Sequence, residues 1–145
     1  MSAALLPDGH GRPGAADLPV RPGEKPWTDA ELKQLRAELD AEASSLRADL
    51  ARAACDIAER LNDSVRDAGD DPADAGSKAF QRDHELALIQ NTQDQLDQTE
   101  RAVARIDAGT YGVCGSCGQP IGKARLQAFP RASLCVACKQ RQERR

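Results

Sequence analysis

Apolar residues recur at fixed intervals in the first half of the chain, separated by charged and polar positions. They form rows with a spacing of eleven residues: Leu35, Leu46 and Ile57; Leu39, Leu50 and Leu61; and Leu32, Ala43, Ala54 and Val65. An eleven-residue repeat corresponds to about 3.67 residues per turn, so the rows form a stripe along a nearly straight helix. Thr28 and Glu31 have the spacing of a capping box. The pattern therefore predicts a helix from about Thr28 to Ala68, roughly 60 Å long.

A second helical pattern follows a short break. Pro72 prevents simple continuation of the first helix, and apolar residues seven positions apart predict a second helix from about Ser77 to Ala108. Two amphipathic helices joined by a short loop predict an antiparallel hairpin, a coiled coil over residues 27–108 with its loop at 69–76. The competing interpretation is a homodimer through the same apolar stripe. The short loop gives the intrachain partner the higher effective concentration, so we expect a monomeric hairpin.

The composition agrees with an all-α fold. Only 3% of the residues are aromatic and 30% are charged, which favours long helices over sandwiches, barrels and doubly wound sheets. Residues 1–26 contain five prolines and four glycines, and this density of helix-breaking residues predicts a disordered arm. No signal peptide or membrane-spanning segment is evident in the sequence, so we expect a cytoplasmic protein without membrane contact.

Charge is distributed unevenly along the chain. Residues 27–108 hold nineteen acidic and ten basic side chains, a net charge of −9. Residues 109–145 hold seven basic side chains and one acidic one, a net charge of +6. An acidic body of this kind is not typical of a protein that coats nucleic acid along its length, although the basic end alone could bind it.

Four cysteines near the end of the chain form two C-x-x-C pairs. Cys114 and Cys117 are followed, after seventeen residues, by Cys135 and Cys138. Four thiolates in this pattern can surround a Zn²⁺ ion tetrahedrally at about 2.3 Å, which predicts one closed, structural zinc site. A redox dithiol is the alternative, but the sequence lacks the context of a thioredoxin. The fifth cysteine, Cys55, is predicted to be a half-buried packing residue of the first helix.

The cysteines belong to a longer block that resembles a known family. From Tyr111 to Cys138 the chain combines an aromatic-Gly pair, two C-x-x-C pairs, Pro-Ile-Gly and Arg-Leu. This block, with the hairpin and the Asp-Pro-Ala-Asp loop, resembles the DksA/TraR family of bacterial regulators over about residues 28–145. The resemblance implies a C4 zinc module, over residues 109–145, that ends in a short helix. It also implies a protein that binds RNA polymerase, inserts its hairpin into the secondary channel and is not an enzyme.

The resemblance also assigns a role to the loop of the hairpin. The tip motif of the family has two acids three positions apart and a small residue two positions further on. Asp71 and Asp74 match it, Gly76 stands where alanine is usual, and Asp70 adds a third carboxylate. The resemblance implies that these acids act on the polymerase. From the residues alone, turn formation and helix capping by aspartate are the alternative.

The positions that bind the alarmone ppGpp in the family are only partly basic in this chain. In the family, basic residues at the hairpin base and on the zinc module help to bind it, and the corresponding positions here are Gln98, Phe129 and Lys139. Two neutral residues remove much of the attraction for a polyphosphate. We therefore expect weak or absent ppGpp enhancement, with Lys139 and Arg125 as candidate contacts to ppGpp or to the polymerase rim.

The cysteine spacing leaves one alternative function open. A C-x2-C-x17-C-x2-C pattern also occurs in GATA-type fingers, so a sequence-specific DNA-binding zinc protein is the alternative. The acidic hairpin would repel DNA, and we expect no direct sequence-specific DNA contact. The sequence contains no nucleophile–base pair, phosphate-binding loop or open metal position, and this argues against an enzyme.

Overall fold

The computed structural model describes residues 14–66 and 72–144. That part of the chain is mostly helical and contains no strand, only an isolated bridge between Val113 and Pro120. The all-α class predicted from the sequence is confirmed. The α-helices are α1 (Asp29–Arg66), α2 (Pro72–Ala108), α3 (Lys123–Ala128) and α4 (Val136–Glu143), preceded by a 3-10 turn at Ala15–Asp17.

The capping box predicted at the start of α1 is present. The Glu31 N–H donates to Thr28 Oγ1 at 3.1 Å, and the Thr28 N–H donates to Glu31 Oε1, also at 3.1 Å. These reciprocal bonds satisfy two backbone donors that the first turn leaves without helical partners. The sequence therefore placed the start of α1 within one residue.

The predicted start of α2 is wrong by five residues. The helix begins at Pro72 and not at Ser77, because a proline in the first turn needs no N–H partner and already has a helical φ. Asp74 is in this first turn, where a carboxylate interacts favourably with the helix dipole. Residues 72–76 are therefore helical and not part of a loop.

The chain divides into two compact units. Met1–Ala41 and Thr99–Arg145 form one, here called the zinc unit, and Glu42–Gln98 form the other, here called the hairpin unit. In the zinc unit, α1 and α2 pack side by side, and the Arg36 guanidinium binds both carboxylate oxygens of Asp107 at 2.8 and 2.9 Å. The buried apolar residues that α1 and α2 share in this unit are Leu35, Leu39, Ala102 and Ile106.

In the hairpin unit, packing between the two helices decreases along the predicted apolar rows. Ala43, Leu46 and Leu96 form a small buried cluster, whereas Leu61, in the same row as Leu39, is 52% exposed. Arg60 of α1 forms an ion pair with Glu85 of α2. The two long helices therefore form the antiparallel hairpin that the sequence predicted.

Cys55 is not the half-buried packing residue that the sequence predicted. It is exposed, and so is its neighbour Ala54. Small residues in this part of α1 give the partner helix little apolar surface to contact.

In the described part of the chain, no helix combines the length and the hydropathy that crossing a bilayer requires.

The prediction of a disordered arm over residues 1–26 is wrong for residues 14–26. Ala15 and Leu18 are 2% and 4% exposed, and they belong to the same buried cluster as Trp27 and Tyr111. These apolar side chains give the segment a surface to bury, which its proline and glycine content concealed. Residues 1–13 lie outside the described residues.

Candidate metal centre and acidic end of the hairpin

The first cysteine pair lies in a tight turn closed by backbone hydrogen bonds. The Gly118 N–H donates to the carbonyl of Cys114 at 3.0 Å, and the Cys114 N–H donates to the carbonyl of Gln119 at 2.8 Å. Gly118 has a φ of 74°, which glycine adopts without steric cost. The turn therefore directs the side chains of Cys114 and Cys117 to the same side.

The second cysteine pair begins α4. Cys135 is the N-cap residue, with φ −70° and ψ 165°, and Cys138 follows in the first turn of the helix. The Gly115 N–H donates to the carbonyl of Ser133 at 2.9 Å, which ties the first turn to the segment before α4. The two pairs are thus held together by backbone contacts.

The four cysteine sulfur atoms form a compact donor set. All of them lie within 4.8 Å of one another, and Cys117 Sγ and Cys135 Sγ are 3.8 Å apart. Tetrahedral zinc at about 2.3 Å from each sulfur places the sulfurs roughly 3.8 Å apart. The predicted ligands Cys114, Cys117, Cys135 and Cys138 therefore come together in a geometry that fits one zinc ion.

Backbone N–H groups favour the thiolate form of two of the four ligands, Cys114 and Cys135. Burial acts to raise the pKa of Cys114, but N–H groups of Cys117, Cys135 and Ser116 outweigh it and lower this pKa to about 6. The Cys135 N–H lies 3.4 Å from Cys114 Sγ. The Cys138 N–H is the main cause of a lowered pKa at Cys135. Because thiolates and not thiols bind zinc, these donors support metal binding.

Glu24, which the sequence analysis did not identify, attaches the N-terminal segment to the zinc unit. Its Oε1 and Oε2 atoms accept the N–H groups of Lys123 and Ala124, each at 2.9 Å, and Oε1 also accepts the Arg21 N–H at 2.8 Å. The first two bonds satisfy the exposed donors at the start of α3, and they lower the pKa of the Glu24 carboxyl. No local sequence signal links Glu24 to a helix 99 residues away.

The Lys123 side chain makes its contacts within the zinc unit. Its ammonium lies 2.8 Å from Glu31 Oε1 and 5.4 Å from the centroid of the Trp27 ring, and its side chain is 12% exposed. Trp27, the single tryptophan of the chain, is 2% exposed and lies 6.2 Å from the Tyr111 ring. The rarity of tryptophan in this composition was the available signal for its structural role.

The candidate ppGpp or polymerase contacts also have partners. Arg125 Nε donates to the carbonyl of Leu134 at 3.2 Å, and its guanidinium lies 5.8 Å from the centroid of the Phe129 ring. Phe129 is 62% exposed. Lys139 is paired with Glu143 at 3.8 Å. Gln98 is exposed in α2, within the hairpin unit.

The acidic end of the hairpin is described in part. Asp74 is exposed in the first turn of α2, and Gly76 is exposed in the same helix with no atom within 4 Å of where its Cβ would lie. The other two predicted effector residues, Asp70 and Asp71, lie outside the described residues.

Comparisons with known proteins agree with this architecture. The family model of the prokaryotic dksA/traR C4-type zinc finger matches residues 109–144. The structure of the transcription factor DksA2 from Pseudomonas aeruginosa superposes with a TM-score of 0.64 at 30% identity, covering 80% of this chain and 85% of that one. The chain belongs to the DksA/TraR family. Together, the zinc-finger match and the cysteine cluster show that this family member has one structural zinc ion.

Two curated relatives extend the comparison. The RNA polymerase-binding transcription factor DksA of Caulobacter vibrioides is 37% identical over 75 residues, which are 52% of this chain and 53% of that protein. The chain thus spans about half the length of this relative. The protein of the same name from Escherichia coli K12 is 28% identical over 126 residues, covering 87% of this chain and 80% of that protein.

Proposed function

We propose that this member of the DksA/TraR family is a non-enzymatic transcription regulator that binds RNA polymerase as a monomer. The observation that carries the proposal is the similarity to DksA2, which extends over 80% of the chain and so includes both hairpin and zinc module. Relatives named as RNA polymerase-binding transcription factors support the choice of partner. Because that partner is a bacterial cytoplasmic enzyme, the proposal includes a cytoplasmic location.

In the proposed mechanism, the hairpin enters the secondary channel and its acidic end acts near the active centre. Asp71 and Asp74 are the effector residues, flanked by Asp70 and Gly76. A carboxylate there can pair with a cationic group or with a metal ion. Such contacts alter transcription only if one conformation of the polymerase offers them more favourably than another. Asp74 supports this role because the helix exposes it at the start of α2.

In the same proposal, the zinc module is a structural base and not an effector. Cys114, Cys117, Cys135 and Cys138 hold the ion, which supplies folding energy to a small module whose buried core includes three of these cysteines. With four sulfur ligands, the ion has no position left for a substrate. This closed ligand set supports a structural site and a protein without catalytic activity.

We further propose that ppGpp contributes little. Phe129 and Gln98 carry no charge, and the Lys123 side chain is only 12% exposed and is paired with Glu31. A polyphosphate needs cationic or backbone donors that are available to it. Addition of ppGpp to a transcription assay is therefore expected to leave the effect of the protein nearly unchanged.

The test is retention on core RNA polymerase together with transcription in vitro. The double variant Asp71→Asn/Asp74→Asn is expected to bind polymerase like the wild type and to lose regulation, because it keeps the shape and removes the acids. The matched control is Asp63→Asn/Asp83→Asn, which removes two exposed charges from α1 and α2 and is expected to regulate normally. Loss of regulation in both variants would contradict a role specific to the tip.

The result for binding separates two roles of the acids. If the tip variant no longer binds polymerase, Asp71 and Asp74 are docking residues and the proposed effector role is wrong. Retention of the wild-type protein on duplex DNA of defined sequence, without polymerase, would instead support the alternative of a DNA-binding zinc protein. Its binding would then fall steeply with salt concentration.

A further inference from the structure

Arg141 contacts the metal centre from the end of α4. Its Nη2 atom lies 3.2 Å from Cys138 Sγ and donates a hydrogen bond to it. The two residues are three positions apart in α4, which puts them on the same side of the helix. Cys138 is only 5% exposed, so the guanidinium is a cationic group beside a nearly buried sulfur.

The hydrogen bond from Arg141 brings a positive charge to a metal site that is otherwise negatively charged. Four thiolates carry more negative charge than one Zn²⁺ ion neutralises, so the site keeps a net negative charge. Negative charge in a partly buried site is costly unless cations or N–H donors offset it. Cys114 Sγ receives the backbone N–H of Cys135, whereas Cys138 Sγ receives a side-chain donor that also carries a positive charge.

The contact lies beside an open cavity. A space of about 290 Å³ is lined by Ser116, Leu134, Cys138, Arg141 and Gln142. A chelator or another small reagent can approach Cys138 from this side. The Arg141 side chain is thus placed both to donate a hydrogen bond to the Cys138 sulfur and to restrict access to it.

We propose that Arg141 is a positioning residue of the zinc site, whose hydrogen bond to Cys138 Sγ slows dissociation of that sulfur from the metal. The end of α4 would then determine how long the chain retains zinc. Other cations of this helix have different surroundings: Lys139 pairs with Glu143 at 3.8 Å, and Arg144 is the C-cap residue. Of the positive charges near the end of the chain, that of Arg141 therefore stabilises the metal centre.

The experiment measures zinc release from the full-length, zinc-loaded protein into an excess of the chromogenic chelator 4-(2-pyridylazo)resorcinol. Arg141→Gln, which keeps N–H donors but loses the charge, is expected to release zinc faster, on the order of 10-fold. Arg141→Lys keeps the charge without the planar donor and is expected to give an intermediate rate. Arg144→Gln is the matched control, because it removes the same charge from the residue that follows the same helix, and its rate should equal that of the wild type.

A second measurement detects changes in the bonds between the cysteine sulfurs and the metal. In the cobalt-substituted protein, the thiolate-to-metal charge-transfer band is expected to shift in Arg141→Gln and not in Arg144→Gln. Wild-type release in Arg141→Gln, or equal acceleration in Arg144→Gln, would overturn the proposal. If circular dichroism shows that Arg141→Gln does not fold, Arg141→Lys decides the question. Faster release then supports the proposal and an unchanged rate contradicts it. Neither readout requires polymerase.

Discussion

Glu24 shows how much one side chain contributes to the zinc unit. Its carboxylate accepts N–H groups from Arg21, Lys123 and Ala124, so it closes its own turn and caps α3 at the same time. Gly122, just before α3, complements this contact, because a Cβ there would lie 3.0 Å from Arg21 Cδ. The N-terminal segment is therefore joined to the zinc module by specific polar contacts as well as by burial of Ala15 and Leu18.

Replacement of this carboxylate tests its contribution. Glu24→Gln is expected to lower the free energy of unfolding by about 1 kcal/mol, the usual magnitude for loss of a helix cap. Chemical denaturation of the zinc-loaded protein measures the change. Glu59→Gln, at an exposed position of α1, is the control and should leave the stability unchanged. An equal loss in both variants would show that Glu24 acts only through net charge.

The pH dependence of this effect has a definite sign. Backbone donors lower the pKa of Glu24 from its ordinary value of 4.5. The stabilisation is therefore fully present above pH 4.5 and is lost as the pH falls through the lowered pKa. The stability difference between wild type and Glu24→Gln is expected to narrow in acid, as denaturation at a series of pH values would show. A difference that persists well below the lowered pKa would contradict the role of the charge.

The start of α2 and the packing of the N-terminal segment are two features of the fold that the sequence did not predict correctly. The start of α1 followed from the capping box, and the cysteine spacing predicted the metal centre, because both signals are local. Pro72 is compatible with a helix break or with a first turn, and composition alone did not distinguish them. The contact of Glu24 with α3 joins residues 99 positions apart, so no local pattern could predict it.

Gly76 provides a test of how the start of α2 is stabilised. Because it lies inside α2 with open space around its Cβ position, Gly76→Ala is expected to stabilise the start of the helix by up to about 1 kcal/mol. Hydrogen exchange of the first turns of α2 should slow accordingly. Gly118→Ala is a control of opposite sign, since Gly118 also has open space but a φ of 74°, and it should destabilise by about 1–2 kcal/mol.

For the whole molecule, the metal and the core of the zinc unit are coupled. Cys114, Cys135 and Cys138 belong to the same buried cluster as Trp27 and Tyr111. Removal of zinc with a chelator is expected to abolish hydrogen-exchange protection in the zinc unit first. The reason is that the zinc–sulfur bonds are lost, and the cysteine thiolates repel one another, within the core of that unit. The hairpin unit, with its own cluster around Leu46, should keep more of its protection. Uniform loss along the chain would contradict this division, and added zinc should restore the original pattern.

We have proposed that the acidic end of the hairpin acts inside RNA polymerase. The most direct measurement is site-specific photocrosslinking from Ala75, an exposed residue of the first turns of α2, to core polymerase, with mapping of the crosslinked peptides. We predict crosslinks to segments that line the secondary channel near the active centre. The matched probe at Gln142, in α4, lies in the zinc module and not in the hairpin, and it should crosslink to polymerase segments outside the secondary channel. Crosslinks from Ala75 that map only to the exterior of the polymerase would contradict insertion of the hairpin into the secondary channel.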